Sequence, residues 1–329
     1  MTAPVARTFA APALVALDWG TTSLRAYLLG ADGVALDTHA SPAGIMNLPA
    51  GGFEQAFEET CGAWLDAHPQ LPVLAAGMVG SAQGWAEAPY VETPADADAL
   101  VAGVVAIQTA RGATVRIVPG VLERGVLPNV MRGEETQIVG ALSSDASLNA
   151  EGGVLIGLPG THAKWAFVQA GRIERFYTFM TGEVFGALRD HTILGRTMQQ
   201  GAAADAAAFE RGVDTARDAG HPGVLATIFS TRTLGLTGQL TPAQQPDYLS
   251  GLLIGHELRG LTEVLARDQS SLAGRTLRLI GNETLCDRYR AALARFGCQD
   301  AATVANATEQ GLYRIAVQAG LVPAPARAA

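Results

Sequence analysis

The sequence predicts an α/β protein of two lobes, each a mixed sheet that opens with an antiparallel meander and is flanked by helices. An apolar strand, a glycine-threonine turn and a second strand occur near the start, and the same layout returns near residue 154. After each opening, short apolar strands alternate with helical patterns, as is typical of a mixed α/β sheet. The length of 329 residues favours two domains over one.

Three strands are predicted at residues 14–17, 24–29 and 34–38, with Asp32-Gly33 as the second hairpin turn. The first turn carries one carboxylate at the strand end and then a glycine and three hydroxyls: Asp18, Gly20, Thr21, Thr22 and Ser23. The glycine permits close approach of a ligand, and hydroxyls with turn N–H groups suit phosphate oxygens. Asp18 suits Mg²⁺ held through water. An ordinary hairpin with a polar turn is the alternative interpretation of the same residues.

The remainder of the first lobe is predicted as a helix, a buried strand, a second helix and another strand, at residues 53–66, 73–76, 98–109 and 115–118. The strand at 73–76 ends in a loop with three glycines. Ser81 and Gln83 in that loop carry side chains that can hydrogen-bond a polyol.

Two adjacent acids, Glu134 and Glu135, begin an apolar-periodic segment. A helix N-terminus favours negative charge, so both can be explained as helix-start residues. One of them can instead act as a general base. The residues alone leave both interpretations open.

The second half repeats the opening with strands predicted at 154–158, 163–168 and 173–177. The first of them ends in Pro159-Gly160-Thr161-His162, and Lys164 follows in the next strand. His162 and Lys164 are candidate phosphate ligands; the alternatives are a turn filler and a solvated strand residue. The duplicated layout leads us to expect two turns that bind one polyphosphate.

Residues 181–271 are predicted to be helical, with Thr181 as a cap and Glu183 in the first turn. A strand at 276–280 ends in Gly281 and Asn282, which leaves room for a ribose or a flat ligand before a helix at 284–296. The predicted domains are a first lobe at 13–140, a second lobe at 141–305, and a final helix within 306–322 that packs back on the first lobe. About ten residues at the start and the tail after Val322 are predicted to be disordered.

The net charge of −8 and the pI of about 5.3 argue against nucleic acid or an anionic membrane as a partner. The longest apolar run, near residues 100–107, is short of the roughly 20 residues that span a bilayer. Cys61, Cys286 and Cys298 are scattered without metal-ligand spacing, which excludes a disulfide framework and suits a reducing cytoplasm. We therefore expect a cytoplasmic protein, and we consider a homodimer.

Six segments together resemble the 2-dehydro-3-deoxygalactonokinases, sugar-acid kinases of galactonate breakdown within the actin/hexokinase superfamily. They contain the first turn, the loop with Ser81 and Gln83, the pair Glu134 and Glu135, and the second turn. They also contain the start of the helical region and the strand that ends in Gly281. In order they are residues 17–29, 77–85, 131–142, 158–166, 178–194 and 279–293.

This resemblance implies a two-lobed actin-like ATPase fold of the ribonuclease H type. It also implies transfer of phosphate from ATP, with Mg²⁺, to the 6-hydroxyl of 2-dehydro-3-deoxy-D-galactonate. Asp18 would lie at the metal. Phosphate and nucleotide ligands would be Gly20, Thr21, Thr22, Ser23, Gly160, Thr161, His162, Lys164, Gly281 and Asn282.

The superfamily's base is usually an aspartate between the two phosphate motifs, where this chain offers Glu134 and Glu135. We favour Glu135, because the residues after it best resemble the helix that follows that aspartate. The substrate carboxylate needs a cation, for which arginine's planar fork is suited. The substrate candidates are Ser81, Gln83, Arg132, Arg25 and Glu183, with Arg189 as a further arginine and Glu183 also as an alternative base. The alternatives for function are a kinase of another sugar or sugar acid, and a nucleotide-hydrolysing phosphatase or switch protein.

Overall fold

The computed structural model describes residues 11–149, 152–218, 220 and 222–324. The predicted N-terminal tail and most of the predicted C-terminal tail lie outside these residues. The chain divides into two compact units. The first takes the described residues within Met1–Gly153, Phe167–Phe176 and Ala305–Ala329, and the second takes those within Val154–Ala166 and Tyr177–Val304.

The elements alternate as the sequence predicts. The strands are β1 Pro12–Trp19, β2 Leu24–Gly30, β3 Ala35–Ser41, β4 Val73–Ala76, β5 Tyr90–Glu92, β6 Val105–Gln108, β7 Thr114–Ile117, β8 Gly120–Glu123, β9 Asn129–Met131, β10 Val154–Leu158, β11 Ala163–Gln169, β12 Arg172–Phe179, β13 Leu277–Leu279 and β14 Ala301–Thr303. The α-helices are α1 Gly52–Ala67, α2 Ala97–Ala102, α3 Glu134–Ser144, α4 Thr181–His191, α5 Ala206–Arg217, α6 Val224–Thr227, α7 Ser230–Leu236, α8 Gln245–Arg267, α9 Glu283–Arg295 and α10 Ala307–Gln318. Short 3₁₀ helices occur at Met78–Gly80, Ala146–Asn149 and Gly195–Thr197.

The large sheet of the first unit has the order β3-β2-β1-β4-β7-β6. Strands β1, β2 and β3 form the predicted antiparallel meander, and β4 and β7 extend it in parallel from β1. A small sheet of order β5-β8-β9, which the sequence did not predict, lies in the same unit. Its strands are three or four residues long, too short for a visible alternation of polar and apolar residues.

The predicted helix at residues 98–109 is wrong in its second half. Helix α2 ends at Ala102, where Gly103 caps it, and residues 105–108 form β6, which pairs antiparallel with β7. The sequence after Gly103 is Val-Val-Ala-Ile, and β-branched residues pack well in a pleated sheet. Strand pairing therefore prevails over the helical pattern of the preceding turn.

The sheet of the second unit has the order β12-β11-β10-β13-β14. This repeats the order of the first five strands of the other sheet, and β13 and β14 again run parallel to the central strand. The duplicated mixed sheet with flanking helices confirms the predicted fold class.

The unit boundaries differ from the predicted lobe boundary at 140. The described part of residues 141–153 belongs to the first unit, because α3 continues unbroken to Ser144. Residues 167–176 also belong to the first unit, where Ile173 and Ala95 form an antiparallel bridge with hydrogen bonds in both directions.

Helix α10 packs closely on α3 within the first unit. A Cβ atom at Gly140 would lie 1.8 Å from the Ala307 carbonyl oxygen, and one at Gly311 would lie 1.9 Å from that of Thr136. These glycines allow the two helix backbones to touch, which fixes α3 and the glutamates at its N-terminus. None of the helices in the described part of the chain is both long and apolar enough to cross a membrane.

Candidate active site

The turn after β1 is closed by a hydrogen bond from Gly20 N to Ser23 O, 2.9 Å long. Residues 44–47 pack against its back: Ile45 N and Met46 N donate to the carbonyls of Gly20 and Thr21. A Cβ at Gly44 would lie 2.3 Å from the turn backbone, so only glycine allows this approach. The side chains of Thr21, Thr22 and Ser23 remain exposed. The segment at residues 44–47 thus occupies two carbonyl oxygens of the turn, and the three hydroxyls of the turn face solvent.

Asp18 lies at the end of β1, opposite Arg25 in the β1–β2 ladder. Burial raises the pKa of its carboxyl to about 6, against the lowering effect of Arg25 and with the help of Glu309 and Glu134. A cation near this carboxylate would restore its ionised form. The group is therefore a half-buried, poorly neutralised acid, which is the environment that attracts a metal ion.

Three backbone segments converge beside Asp18. Gly77, after β4, has a φ of 98°, and a Cβ there would lie 2.8 Å from the Trp19 carbonyl oxygen. Gly133, before α3, has a φ of 106°, and its Cβ would lie 3.3 Å from Gly77 Cα. Trp19 itself is fixed by its indole N–H bond to Ala43 O and by edge contacts with Phe53 and Trp85. The start of α3 is thereby held next to the end of β1.

The two glutamates at that helix start have different environments. Glu134 is half-buried, and its Oε2 accepts a hydrogen bond from Arg132 N at 2.9 Å. Glu135 is fully buried; its oxygens accept from Gly133 N at 2.7 Å and from Thr136 Oγ1 at 3.0 Å. Burial and the neighbouring Glu134 raise the pKa of Glu135 to about 7, despite these hydrogen bonds.

The Arg132 side chain lies against the segment that follows β4, near Gly80 and Ala88. Its Nη2 donates to Ala88 O at 2.8 Å, and its guanidinium lies 4.4 Å from the centre of the Tyr90 ring. Its Nε and Nη1 are buried without a hydrogen-bond partner, and so is the Ser81 hydroxyl. A Cβ at Gly80 would lie 2.9 Å from Arg132 Nη1, which places this unpaired nitrogen at the residue before Ser81. Gln83, in contrast, is exposed.

The second unit contains a pocket of about 760 Å³. It is lined by the turn residues Gly160 and Thr161, the N-terminus of α4, and the first two turns of α9. Glu183 N donates to Thr161 O at 3.0 Å, and a Cβ at Gly182 would lie 2.5 Å from Gly160 O. The turn after β10 is therefore seated directly on the N-terminus of α4, whose dipole favours anions.

The other predicted residues of this turn are partly engaged. His162 hydrogen-bonds Glu183, and both side chains are exposed. Lys164 is 4% exposed, and its Nζ donates to the His162 carbonyl oxygen at 3.1 Å. Arg189, the third arginine candidate, lines the pocket of the second unit and pairs with Asp190.

Asn282 lines the same pocket, and Gly281 precedes it next to Pro159. Gly281 has a φ of 156°, and a Cβ there would lie 3.3 Å from Pro159 O. Asn282 caps α9 by accepting from Leu285 N at 3.3 Å. Asn282, Leu285, Arg288 and Tyr289 all line the pocket. Sequence reasoning missed the last three, although their spacing marks one face of a helix that starts at a predicted site residue.

The described residues include no group of three or more His, Cys, Asp or Glu side chains arranged to hold a metal ion. A metal held by one carboxylate, waters and phosphate oxygens, as is common for Mg²⁺, needs no such group.

Comparison with known proteins extends over nearly the whole chain. The sequence model of the family described as 2-keto-3-deoxy-galactonokinase matches residues 18–315. A protein of Rhizobium meliloti named as a probable 2-dehydro-3-deoxygalactonokinase is 39% identical over 287 residues, covering 86% of this chain and 89% of its own. The 2-dehydro-3-deoxygalactonokinase of Escherichia coli is 33% identical over 308 residues, covering 92% and 97%.

The chain belongs to the 2-keto-3-deoxy-galactonokinase family. A crystal structure from Sinorhizobium meliloti that bears the same enzyme name has a TM-score of 0.82 and 36% identity, and the match covers 92% of this chain and 98% of that one. The resemblance drawn from the six segments is confirmed, as is the enzyme class of sugar-acid kinase. The phosphatase or switch protein is not favoured. The roles of individual residues stay predictions.

Proposed function

We propose that this protein transfers the γ-phosphoryl group of ATP to the 6-hydroxyl of 2-dehydro-3-deoxy-D-galactonate, giving the 6-phosphate and ADP in galactonate catabolism. The names of its relatives support the substrate. One observation supports an acid as the substrate. The Nε and Nη1 atoms of Arg132 are buried without a hydrogen-bond partner, and the Ser81 hydroxyl beside them is unpaired too.

Buried donors without partners cost about 1–3 kcal/mol each, so a bound water or a ligand that pairs with them is stabilised at this place. Arg132 has unpaired N–H groups at Nε and at Nη1, and Ser81 has an unpaired hydroxyl close by. A carboxylate accepts such a set with two oxygens, whereas a neutral sugar hydroxyl provides no charge to match the guanidinium. The cation-π contact with Tyr90 and the bond to Ala88 O fix the guanidinium plane for this purpose.

The pocket of the second unit is proposed as the nucleotide site. Its turn and the N-terminus of α4 supply backbone donors for phosphate oxygens, with Gly160, Thr161, His162 and Lys164 as the predicted residues. Asn282 and the helix after it offer a surface for adenosine, and Gly281 offers bare backbone next to them. Arg288 and Tyr289 are added to this surface.

Mg²⁺ is proposed as the metal, with Asp18 as its protein ligand through water. The fit is chemical: a hard, half-buried carboxylate with a pKa raised to about 6 beside further acidic groups is stabilised by a divalent cation. When bound, the metal supplies charge neutralisation of the transferred phosphoryl group. Thr21, Thr22 and Ser23 would donate hydrogen bonds to phosphate oxygens, and Gly20 would let a phosphate approach the turn backbone closely.

We propose Glu134 as the general base in place of the earlier preference for Glu135. Glu134 is half-buried at the helix start, and its charge acts on Asp18, whereas the Glu135 carboxylate is closed off from solvent and already holds the Gly133 N–H and the Thr136 hydroxyl. In the reaction, the proton of the 6-hydroxyl passes to Glu134. The O6–Pγ bond forms as the bond from Pγ to the bridging oxygen breaks, and that oxygen leaves with ADP.

The test is an ADP-release assay with ATP and a panel of acceptors: 2-dehydro-3-deoxygalactonate, its C4 epimer and neutral hexoses. We expect phosphorylation of the sugar acids, with the phosphate at O6 by ³¹P and ¹³C NMR. Faster phosphorylation of a hexose would overturn the substrate class. ADP release that is independent of any acceptor would favour a hydrolase.

Arg132→Ala sharpens the test of the acid site. Loss of a charged hydrogen-bonding partner is worth about 1.5–3 kcal/mol, so KM for the sugar acid should rise about 10- to 100-fold while KM for ATP stays the same. Arg124→Ala is the matched control, since Arg124 is an exposed arginine of the same unit that pairs with Glu92. Equal KM values for the sugar acid in both variants would exclude Arg132 as the carboxylate ligand.

A cytoplasmic location and a homodimer are also proposed. The three buried free cysteines are consistent with a reducing compartment. Light scattering of the purified protein reports the oligomeric state directly.

A further inference from the structure

Helix α8 carries a buried carboxylate that the proposed reaction does not use. Glu257 is 2% exposed and does not line the nucleotide pocket. Its Oε1 accepts a hydrogen bond from Trp165 Nε1 at 2.7 Å. Its Oε2 accepts from the Thr181 hydroxyl and, at 2.8 Å, from the Tyr289 hydroxyl.

The three donors belong to three different elements of the second unit. Trp165 is on β11, Thr181 begins α4 and Tyr289 is on α9. Thr181 and Tyr289 both line the pocket; Thr181 lies next to the phosphate turn, and Tyr289 lies on the helix that follows Asn282. A single buried carboxylate oxygen therefore accepts hydrogen bonds from two residues that line this pocket, one at the start of α4 and one on α9.

Thr181 is coupled closely to the phosphate turn. The residue after it, Gly182, is so near the turn that a Cβ would lie 2.5 Å from Gly160 O, and the next residue donates its N–H to Thr161 O. A shift of Thr181 must therefore move the turn. Tyr289 is held by a second contact besides Glu257, since its ring is tilted against that of Trp165 at a centroid distance of 6.3 Å.

We propose that Glu257 is a positioning residue for nucleotide binding, which holds Thr181 and Tyr289 at the spacing that the pocket requires. The inference rests on the proposed assignment of this pocket to ATP. An acceptor-only group suits the place, because the Trp165 indole can only donate and the two hydroxyls both point at one oxygen. Burial raises the pKa of Glu257 to about 7 and the three hydrogen bonds lower it, so the bonds offset part of the burial cost.

The experiment compares two replacements of Glu257. Glu257→Met keeps the length and removes every acceptor, whereas Glu257→Gln keeps one carbonyl oxygen and an amide that can bond the hydroxyls. We expect KM for ATP and the dissociation constant of ADP, measured by calorimetric titration, to rise about tenfold or more in the Met variant and less in the Gln variant. KM for the sugar acid should stay within about twofold.

Leu261→Ala is the matched control for general loss of stability, because Leu261 is fully buried on the same helix and does not line the pocket. It should lower the unfolding free energy by about 2–5 kcal/mol without raising KM for ATP. An ATP KM that rises equally in Leu261→Ala would reduce Glu257 to a structural role and overturn the inference.

The closing comparison separates the two proposals. Normal affinity for ADP in both Glu257 variants contradicts the positioning role alone. Failure of the unmodified protein to bind ATP or ADP contradicts the nucleotide assignment, and the positioning role with it.

Discussion

The turn after β1 and the turn after β10 occupy equivalent places in two sheets of the same strand order, yet their surroundings differ. The first turn follows a half-buried carboxylate, Asp18, and is backed by the loop at residues 44–47. The second follows Pro159, has no acid at the strand end, and is backed by the N-terminus of α4. Acidic side chains surround the strand end before the first turn, whereas the helix N-terminus behind the second turn favours anions.

This difference indicates that the two duplicated sheets bind different ligands. The acidic surroundings of the first turn suit a cation and lie beside Glu134 and the glycine-rich loop. The second turn forms one wall of a pocket large enough for a nucleotide. Substitutions in the first unit should therefore affect turnover and the sugar acid, and substitutions in the second should affect ATP.

The largest effect is expected from Asp18→Asn. The change removes a charge while preserving shape, so kcat should fall by about 10³-fold or more, with a normal unfolding transition. Calorimetry and steady-state kinetics measure both. Asp32→Asn is the control, because Asp32 is an exposed turn aspartate of the same unit. Near-normal turnover of Asp18→Asn would show that the first turn has no metal-binding role.

The next effect distinguishes the two glutamates. Glu134→Gln should lower kcat by roughly 10²–10³ with KM little changed, as expected for loss of a general base. Glu135→Gln retains an acceptor for Gly133 N and should lower kcat much less. The reverse ranking would restore Glu135 as the base, and full turnover in both variants would direct attention to Glu183.

The fold was largely predictable because its strands are apolar runs bounded by glycine turns, as at residues 14–29 and 154–168. The exceptions are local. The strand at 105–108 follows a helix without a proline or polar break, and the small β5-β8-β9 sheet consists of segments too short to show a period.

The site was predictable where a residue lies in a turn that the chain makes locally, as Asp18 and Thr161 do. It was not predictable where side chains distant in sequence meet. Glu257 and Trp165 are separated by 92 residues, and Glu309 acts on Asp18 across most of the chain. The pattern around Glu257 is that of any amphipathic helix, so only the packing reveals its three donors.

A smaller effect tests whether the packing of the second turn on α4 matters for ATP binding. Gly182→Ala would place a Cβ 2.5 Å from Gly160 O and 2.8 Å from Thr161 Cα, so the turn must shift and KM for ATP should rise about tenfold. Gly186→Ala, on the same helix, is the control, since a Cβ there meets nothing within 4 Å. If both alanines leave KM for ATP unchanged, the turn on α4 does not contact the nucleotide.

The smallest effect concerns a feature the two units share, a buried helix-borne glutamate with a pKa of about 7: Glu135 in the first and Glu257 in the second. Each binds its proton more tightly in the folded chain than at the ordinary value of 4.5. Ionisation therefore opposes folding, and the unfolding free energy should decrease as pH rises from about 4.5 to 7.

Glutamine at either position should flatten this decrease, whereas exposed Glu87→Gln should leave it unchanged. Urea unfolding at pH 5 and pH 8 measures the difference. The Glu257→Gln variant keeps one acceptor oxygen where the carboxylate has two for three side-chain donors. Its stability at pH 8 should therefore gain less than that of Glu135→Gln, whose carboxylate receives one side-chain hydroxyl and one backbone N–H. Equal gains would show that burial alone, and not the set of donors, governs the two sites.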